Sequence, residues 1–178
     1  SKEARSLKVG PGLHHETKIG PLVSTEHRKK VMGLINDGIK DGGETVAGGS
    51  IIDGPGYYIE PTVIANPPQS SRAVQEEIFG PVQVILKFRT VEEVIERAND
   101  SSFGLGAAVF TSSLDVSMQC SQQIDAGTVW VNCYDVFASQ APFGGFKESG
   151  IGRELGEYGL QQYTAVKTVT IKVPNKTS

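Results

Sequence analysis

A cysteine closing an apolar run is the first residue in this chain that could do chemistry. In "WVNCYD", Cys133 follows a stretch that reads as a strand, and Asp135 stands two residues on. The carboxyl end of a strand is where α/β proteins gather ligands, and a thiol there could act as a nucleophile. To act, it must become a thiolate, which takes a base or a positive environment. No local pattern supplies one. The histidines, His14, His15 and His27, all fall within the first 27 residues, and a carboxylate such as Asp135 opposes a thiolate. Cys133 therefore reads as a packing cysteine, as does Cys120 inside a helical pattern. Metal chemistry fares no better. His14 and His15 are adjacent and point apart in most backbone conformations, and the two cysteines lack ligand spacing, so no metal site is expected.

A second constellation is "QEEIFGPV". Glu76 and Glu77 precede Ile78 and Phe79, and Gly80-Pro81 turns into a strand. A carboxylate beside an exposed aromatic can hold a ribose, because the acid accepts two hydroxyl protons while the ring covers the sugar. The same residues also read as a solvated acid pair beside a core phenylalanine. The glycines at 144, 145, 150 and 152 match no nucleotide motif. "GIGREL" has Leu155 where a third glycine belongs, and in "GFKESG" Lys147 is not followed by Ser or Thr in the required register, so neither a dinucleotide fingerprint nor a P-loop is present. Tight turns are their expected use.

The elements that must position these residues follow from periodicity. Ser24 is an N-cap for a helix with Val31, Leu34, Ile35 and Ile39 on one face, stopped by Gly42-Gly43. "ETVAGG" suits a short strand, and the prolines of "GPGYYIEPTVIANPP" suit edge strands or loops. From residue 81 the pattern alternates. "PVQVILKF" is a strand, "TVEEVIERAND" a helix with Thr90 and Glu93 as a capping box, and "GLGAAVFT" a strand. "SLDVSMQCSQQI" is a helix with Leu114, Met118, Ser121 and Ile124 near one stripe, ended by Gly127, and "TVWVN" is a third strand. Strand–helix–strand spacing of this kind means parallel strands with crossover helices, an α/β fold whose ligands gather at the strands' carboxyl ends. The long loop "CYDVFASQAPFGGFKESGIG" starts at that end. "RELGEYGLQQY" reads as a helix, and "VKTVTIKV" alternates like a half-exposed strand that could pair with another subunit.

The totals bound what this fold can do. The chain has 178 residues, 38% hydrophobic, with a formal net charge of −3. That is enough for one main globular domain. With no basic block, neither nucleic acid nor an anionic membrane is an expected partner, and no apolar run approaches the roughly 18 residues of a membrane span. "SKEARSLKVGPG" has no apolar core of a secretory signal, and two cysteines make no disulfide framework. The sequons at Asn99 and Asn175 then read as chance matches. The charged, aperiodic beginning suits a domain start or a piece of a longer chain.

Together, "EEIFGPV", "ANDSSFGLGAAVFT", "AGTVWVNCYD", "PFGGFKESGIGRELGEYGL" and "YTAVKTVTIKV" resemble, in order and spacing, the C-terminal part of an NAD(P)-dependent aldehyde dehydrogenase of class 1 or 2. The resemblance covers essentially the whole chain. It implies that residues 1–163 are the C-terminal part of a catalytic domain and 164–178 an oligomerisation strand and tail. It implies that Glu77 holds the ribose hydroxyls of the nicotinamide of NAD or NADP and that Phe79 contacts the same ribose. Asp135, Phe137 and Phe143 match positions lining an aldehyde tunnel, Glu154 an acid proposed to relay protons, and Arg153 a residue ordering the subunit interface. Ala165 departs from the pattern: relatives of the mitochondrial form carry there an acid that pairs with arginines, one of them at the Arg153 position. The family nucleophile, a cysteine in a Gly-Gln-x-Cys context, and its general base, a glutamate in a Leu-Gly-Gly context, precede the matched segment, and neither motif occurs here. Cys133 matches a non-catalytic cysteine. For the whole enzyme the resemblance implies thiolate attack on an aldehyde, hydride transfer and hydrolysis of a thioester, in a homo-oligomer (a tetramer) of the cytoplasm or mitochondrial matrix. The isolated chain is expected to be inactive. The alternative is a catalytically silent structural or interaction protein derived from that family.

Overall fold

A computed structural model describes residues 2–173; Ser1 and residues 174–178, which include the sequon at Asn175 and the end of the 164–178 segment, lie outside the described residues. The chain divides into two compact units, Ser1–Glu93 and Val94–Ser178.

The first unit holds α1 (Lys2–Ser6), α2 (Thr25–Lys40), β1 (Glu44–Ala47), β2 (Thr62–Ala65), α3 (Arg72–Gln75) and β3 (Val82–Ile85). Helix α2 starts as its sequence demands. Ser24 is extended, and its hydroxyl accepts from the His27 amide at 3.1 Å, satisfying a first-turn donor. Val31, Leu34 and Ile35 are buried as expected. Ile39 is not: it is 39% exposed, and Gly38 takes the inward place, because the Ala73 methyl comes so near that a Cβ on Gly38 would meet it at 2.9 Å. The Gly42-Gly43 stop closes the helix with paired bonds, Gly43 N to Gly38 O at 2.9 Å and Gly42 N to Ile39 O at 3.0 Å, with Gly42 at φ +110°.

The sheet order is β1-β2-β3, with β1 and β2 antiparallel and β2 and β3 parallel. The segment read as an edge is thus the central strand. Its prolines, Pro61, Pro67 and Pro68, flank residues 62–65 instead of interrupting them, so every strand amide can enter a ladder. Thr62, Val63 and Ile64 are buried, and Val31, Ile35, Ile59 and Ile64 form a core against which Leu22, Met32, Ile78 and Val82 pack.

Helix α4 (Val91–Asn99) spans the boundary between the units. Its cap is a variant of the expected box. Thr90 Oγ1 accepts from Glu93 N at 3.2 Å, but the Glu93 carboxylate reaches Arg89 N at 2.8 Å, one residue further out.

The second unit adds β4 (Phe103–Gly104), β5 (Gly106–Val109), α5 (Leu114–Gln123), β6 (Thr128–Val131), β7 (Phe146–Lys147) and α6 (Gly156–Leu160). Strands β5 and β6 are parallel, joined through α5, while β4 and β7 pair antiparallel. The α/β class with parallel strands and crossover helices is therefore present, but the three runs expected side by side are shared between two sheets: β3 pairs with β2, and β5 with β6. Helix α5 buries Ser117 and Cys120, and its expected stripe residues Leu114 and Met118 are exposed, so its inward face is rotated toward the small side chains.

Both parallel pairs are locked at their carboxyl ends in the same way. After β2, Asn66 at φ 52° donates its amide to Ile85 O at 2.7 Å and accepts from Lys87 N on Oδ1 at 3.1 Å. After β6, Asn132 at φ 56° donates to Val109 O at 2.8 Å, and its carboxamide exchanges two bonds with the Thr111 backbone, at 2.9 and 3.0 Å. Asparagine tolerates the left-handed region and carries its own donor and acceptor. It can end a strand and still continue the ladder.

Helix α6 is shorter than the expected 153–163. Glu154 exchanges two backbone bonds with Phe143, at 2.8 and 2.7 Å, Leu155 is at φ 60°, and Gly156 N reaches Ser139 O at 2.9 Å, so the intended first turn pairs with the long loop instead. Beyond it, residues 164–173 form no helix or strand, with Val166, Val169, Ile171 and Val173 exposed.

Candidate functional site

The sequence-predicted residues fall into two groups, one in each unit. In the first, α3 ends at the acidic pair. Arg72 grips Glu76 with two bonds, Nε to Oε1 at 2.6 Å and Nη2 to Oε2 at 3.2 Å, and reaches Asp37 on α2 with Nη1 at 2.7 Å. These bonds hold the Glu76 carboxyl below its usual value, and Arg72 ties α3 to α2 while it engages the Glu76 carboxylate. The next residues divide by direction. Ile78 packs against the core, while Glu77 is exposed and Phe79 is 71% exposed. A core phenylalanine, one of the two readings of the sequence, is thereby excluded. The segment is nonetheless fixed. His27 Nε2 lies 2.6 Å from Phe79 O, the two rings are 6.1 Å apart, Gly80 N bonds Ile78 O at 2.7 Å, and a Cβ on Gly80 would meet Val31 at 3.1 Å. A carboxylate and an aromatic ring thus project from a held backbone, with Ile78 between them turned inward.

The second group is the loop after β6. Cys133 is half-buried directly after Asn132, and Asp135 is exposed at φ 56°. Trp130 Nε1 donates to Val136 O at 2.9 Å, which folds the loop back over the strand end. A row of aromatics results. Trp130 meets Phe137 edge-on at 5.7 Å, and Phe137 meets Phe143 edge-on at 4.9 Å, the separations at which such pairs attract. Phe137 keeps 51% of its surface open. The backbone bridge from Phe143 to Glu154 brings Glu154 to the same place, its side chain exposed. Arg153 is half-buried: Nη1 donates to Gly145 O at 2.9 Å and to Gly152 O at 2.8 Å, and the guanidinium lies 5.4 Å from the Phe146 ring centre. In this chain it ties the glycine-rich loop to itself.

The glycines serve close approach more than turning. A Cβ on Gly127 would stand 1.7 Å from Gly144 O, so the start of β6 and the loop touch backbone to backbone. A hollow of ≈ 780 Å³ is bordered by Phe143, Arg153, Glu154, Leu160, Gln162 and Tyr163. Ala165 lies past α6 and is exposed. Within this unit the structure brings Phe137, Phe143, Arg153 and Glu154 into one neighbourhood, with Asp135 on the same loop.

Some residues escaped the sequence reading. Asn99, noted only as a sequon, is a junction: Nδ2 donates to Gln123 O at 2.7 Å, Oδ1 accepts from Asp125 N at 2.8 Å, and its carbonyl accepts from Lys147 Nζ at 2.7 Å. His27 was weighed only as a base or ligand; its place three residues after the Ser24 cap was the available signal. Cys120 is buried, and burial pushes its thiol up, which keeps it protonated. Among the described residues no helix is long and apolar enough to cross a membrane.

Comparison with known proteins fits this arrangement. The aldehyde dehydrogenase family model matches residues 1–169. Over 175 residues the chain is 55% identical to the mitochondrial aldehyde dehydrogenase of Homo sapiens, covering 98% of this chain and 34% of that protein. Over 177 residues it is 50% identical to aldehyde dehydrogenase 1A1 of Gallus gallus, covering 99% of this chain and 35% of that one. The NAD+ complex of an aldehyde dehydrogenase from Bacillus cereus superimposes with a TM-score of 0.91 at 46% identity, over 97% of this chain and 35% of the other. The chain spans about a third of the length of these relatives.

Proposed function

The chain belongs to the aldehyde dehydrogenase family, and from that premise we propose that it is the C-terminal portion of an NAD(P)-dependent enzyme that oxidises aldehydes to carboxylic acids. In this reading Glu77 and Phe79 clamp the nicotinamide ribose. The observation that carries it is the division of labour in residues 76–79: Glu76 is held by Arg72 and Ile78 sits against the core, leaving one carboxylate and one ring turned outward on a fixed backbone. Those two groups fit a ribose, whose vicinal hydroxyls need acceptors and whose carbon face needs apolar cover. A bound nicotinamide dinucleotide supplies the hydride acceptor. This chain's residues bind and orient it and shape the approach of the substrate.

Asp135, Phe137 and Phe143 form one wall of the aldehyde channel, and the edge-on phenylalanine pair favours apolar aldehydes. Glu154, exposed and bridged through its backbone to Phe143, passes a proton in this reading. The nucleophilic cysteine and the general base belong to sequence that this chain does not contain. Residues 1–163 are then the end of a catalytic domain. Residues 164–178 supply an oligomerisation strand, with Arg153 and Ala165 acting at the interface of a homo-tetramer, in the cytoplasm or the mitochondrial matrix. The absence of both catalytic motifs also favours a second reading, a silent structural or interaction product of the same family.

The test is Glu77→Gln in the full-length polypeptide that carries this chain. Loss of the charge from two hydroxyl contacts is expected to weaken NAD+ binding about tenfold by calorimetry. Unchanged affinity would remove the clamp.

A further inference from the structure

We infer that His27 is a positioning residue for the Glu77–Phe79 clamp, holding the Phe79 carbonyl through its Nε2–H; this deepens the ribose reading above and rests on it. The two residues are 52 positions apart, and the imidazole Nε2 lies 2.6 Å from Phe79 O. A carbonyl only accepts, so a ring hydrogen sits on Nε2. The other ring nitrogen, Nδ1, is buried and has no hydrogen-bond partner. A ring nitrogen left unpaired costs free energy, so the ring orientation is set by the bond on its other side.

What the bond restrains is the peptide that carries the clamp. That plane joins Phe79 to the Gly80 turn, so holding its carbonyl holds ψ of Phe79, the backbone from which the ring projects. Ile78 fixes the segment from below, and Gly80 fits against Val31 of α2. Gly80 N, at the other end of the same peptide plane, bonds Ile78 O at 2.7 Å, which leaves the Phe79 carbonyl as the end that needs a second anchor. His27 supplies it, and is itself set by the cap: its amide donates to Ser24 Oγ at 3.1 Å, which fixes the first turn of α2. The line runs from Ser24 to His27 to the Phe79 carbonyl and so to the ring. His27 also meets that ring obliquely, with centroids 6.1 Å apart and planes at 40°, so the imidazole limits the ring's swing on the protein side while its outer face stays open.

The experiment uses the full-length polypeptide carrying this chain, with NAD+ as the probe. Without cofactor, nitrogen NMR of His27 should show the Nε2–H tautomer; the Nδ1–H tautomer would overturn the bond. With NAD+, calorimetry compares His27→Leu, His27→Gln and Glu77→Gln, with melting temperatures measured in parallel. His27→Leu should weaken binding about tenfold, the affinity equivalent of one hydrogen bond, and His27→Gln, which keeps a side-chain N–H, should restore it to within about threefold. A His27→Leu protein that melts lower yet binds NAD+ normally, while Glu77→Gln binds weakly, overturns the role of His27 alone, as does a glutamine variant no better than leucine. Normal binding by Glu77→Gln overturns the clamp itself.

Discussion

Glu76 and Glu77 are neighbours of one type with opposite uses, and charge pairing separates them. Arg72 spends its guanidinium on Glu76 and Asp37, joining α3 to α2 at the surface. The Glu76 carboxyl is held down by that bond, so the sign of its contribution is fixed. The folded state gains from the pair above the ordinary glutamate value of 4.5, and loses the gain as pH falls through the lowered one. Thermal melts of wild type and Glu76→Gln should therefore differ at neutral pH and converge in acid; a gap that persists in acid would mean the residue acts through something other than its charge. Both partners are solvent-exposed, so the gap will be small. From local pattern alone the two acids were indistinguishable, and only the family resemblance singled out Glu77, because the partner that decides between them depends on where α3 lies against α2. The same limit hid His27, whose neighbour in space is 52 residues away.

Elements with a strong local signal were legible. The Ser24 cap, the Gly42-Gly43 stop and the parallel strand–helix–strand alternation all stand in the structure. What sequence could not give was strand neighbours. The prolines around residues 62–65 suggested an edge, yet β2 is central, because only the residues inside a ladder need amides. Helix α6 was read too long because the pairing of Glu154 with Phe143 is a loop contact invisible to periodicity. The two asparagine locks were also missed, although an asparagine after a β-branched run is a signal that could have found them. Asn132→Ala loses both the bonds to Thr111 and an easy left-handed conformation, and should cost about 1–3 kcal/mol by urea denaturation of the full-length polypeptide. Asn132→Gly recovers the backbone term and should cost less. Equal stability of the alanine variant and wild type would show that the lock is ornamental.

At the scale of the whole molecule, the two groups of candidate residues sit on different units: the clamp on Ser1–Glu93, the aromatic wall on Val94–Ser178. Much apolar surface stays open, including Phe110, Tyr134 and the valines and isoleucine of 166–173, more than a self-contained domain of this size leaves uncovered. That exposure accords with a chain spanning about a third of its relatives' length. The family was legible from five motifs, and the comparisons bear it out. The proposed division of chemistry rests on the sequence, which contains Glu77 and Phe79 and no Gly-Gln-x-Cys motif. Cys133, half-buried behind the Asn132 lock, is the residue on which that division can be tested most directly. The measurement is aldehyde-dependent reduction of NAD+ by the full-length polypeptide carrying Cys133→Ser. Turnover within about twofold of wild type is expected, because serine fills nearly the same space and the proposed division puts the attacking sulfur elsewhere; abolished turnover in a protein that still folds and binds NAD+ would place the nucleophile here and contradict the division.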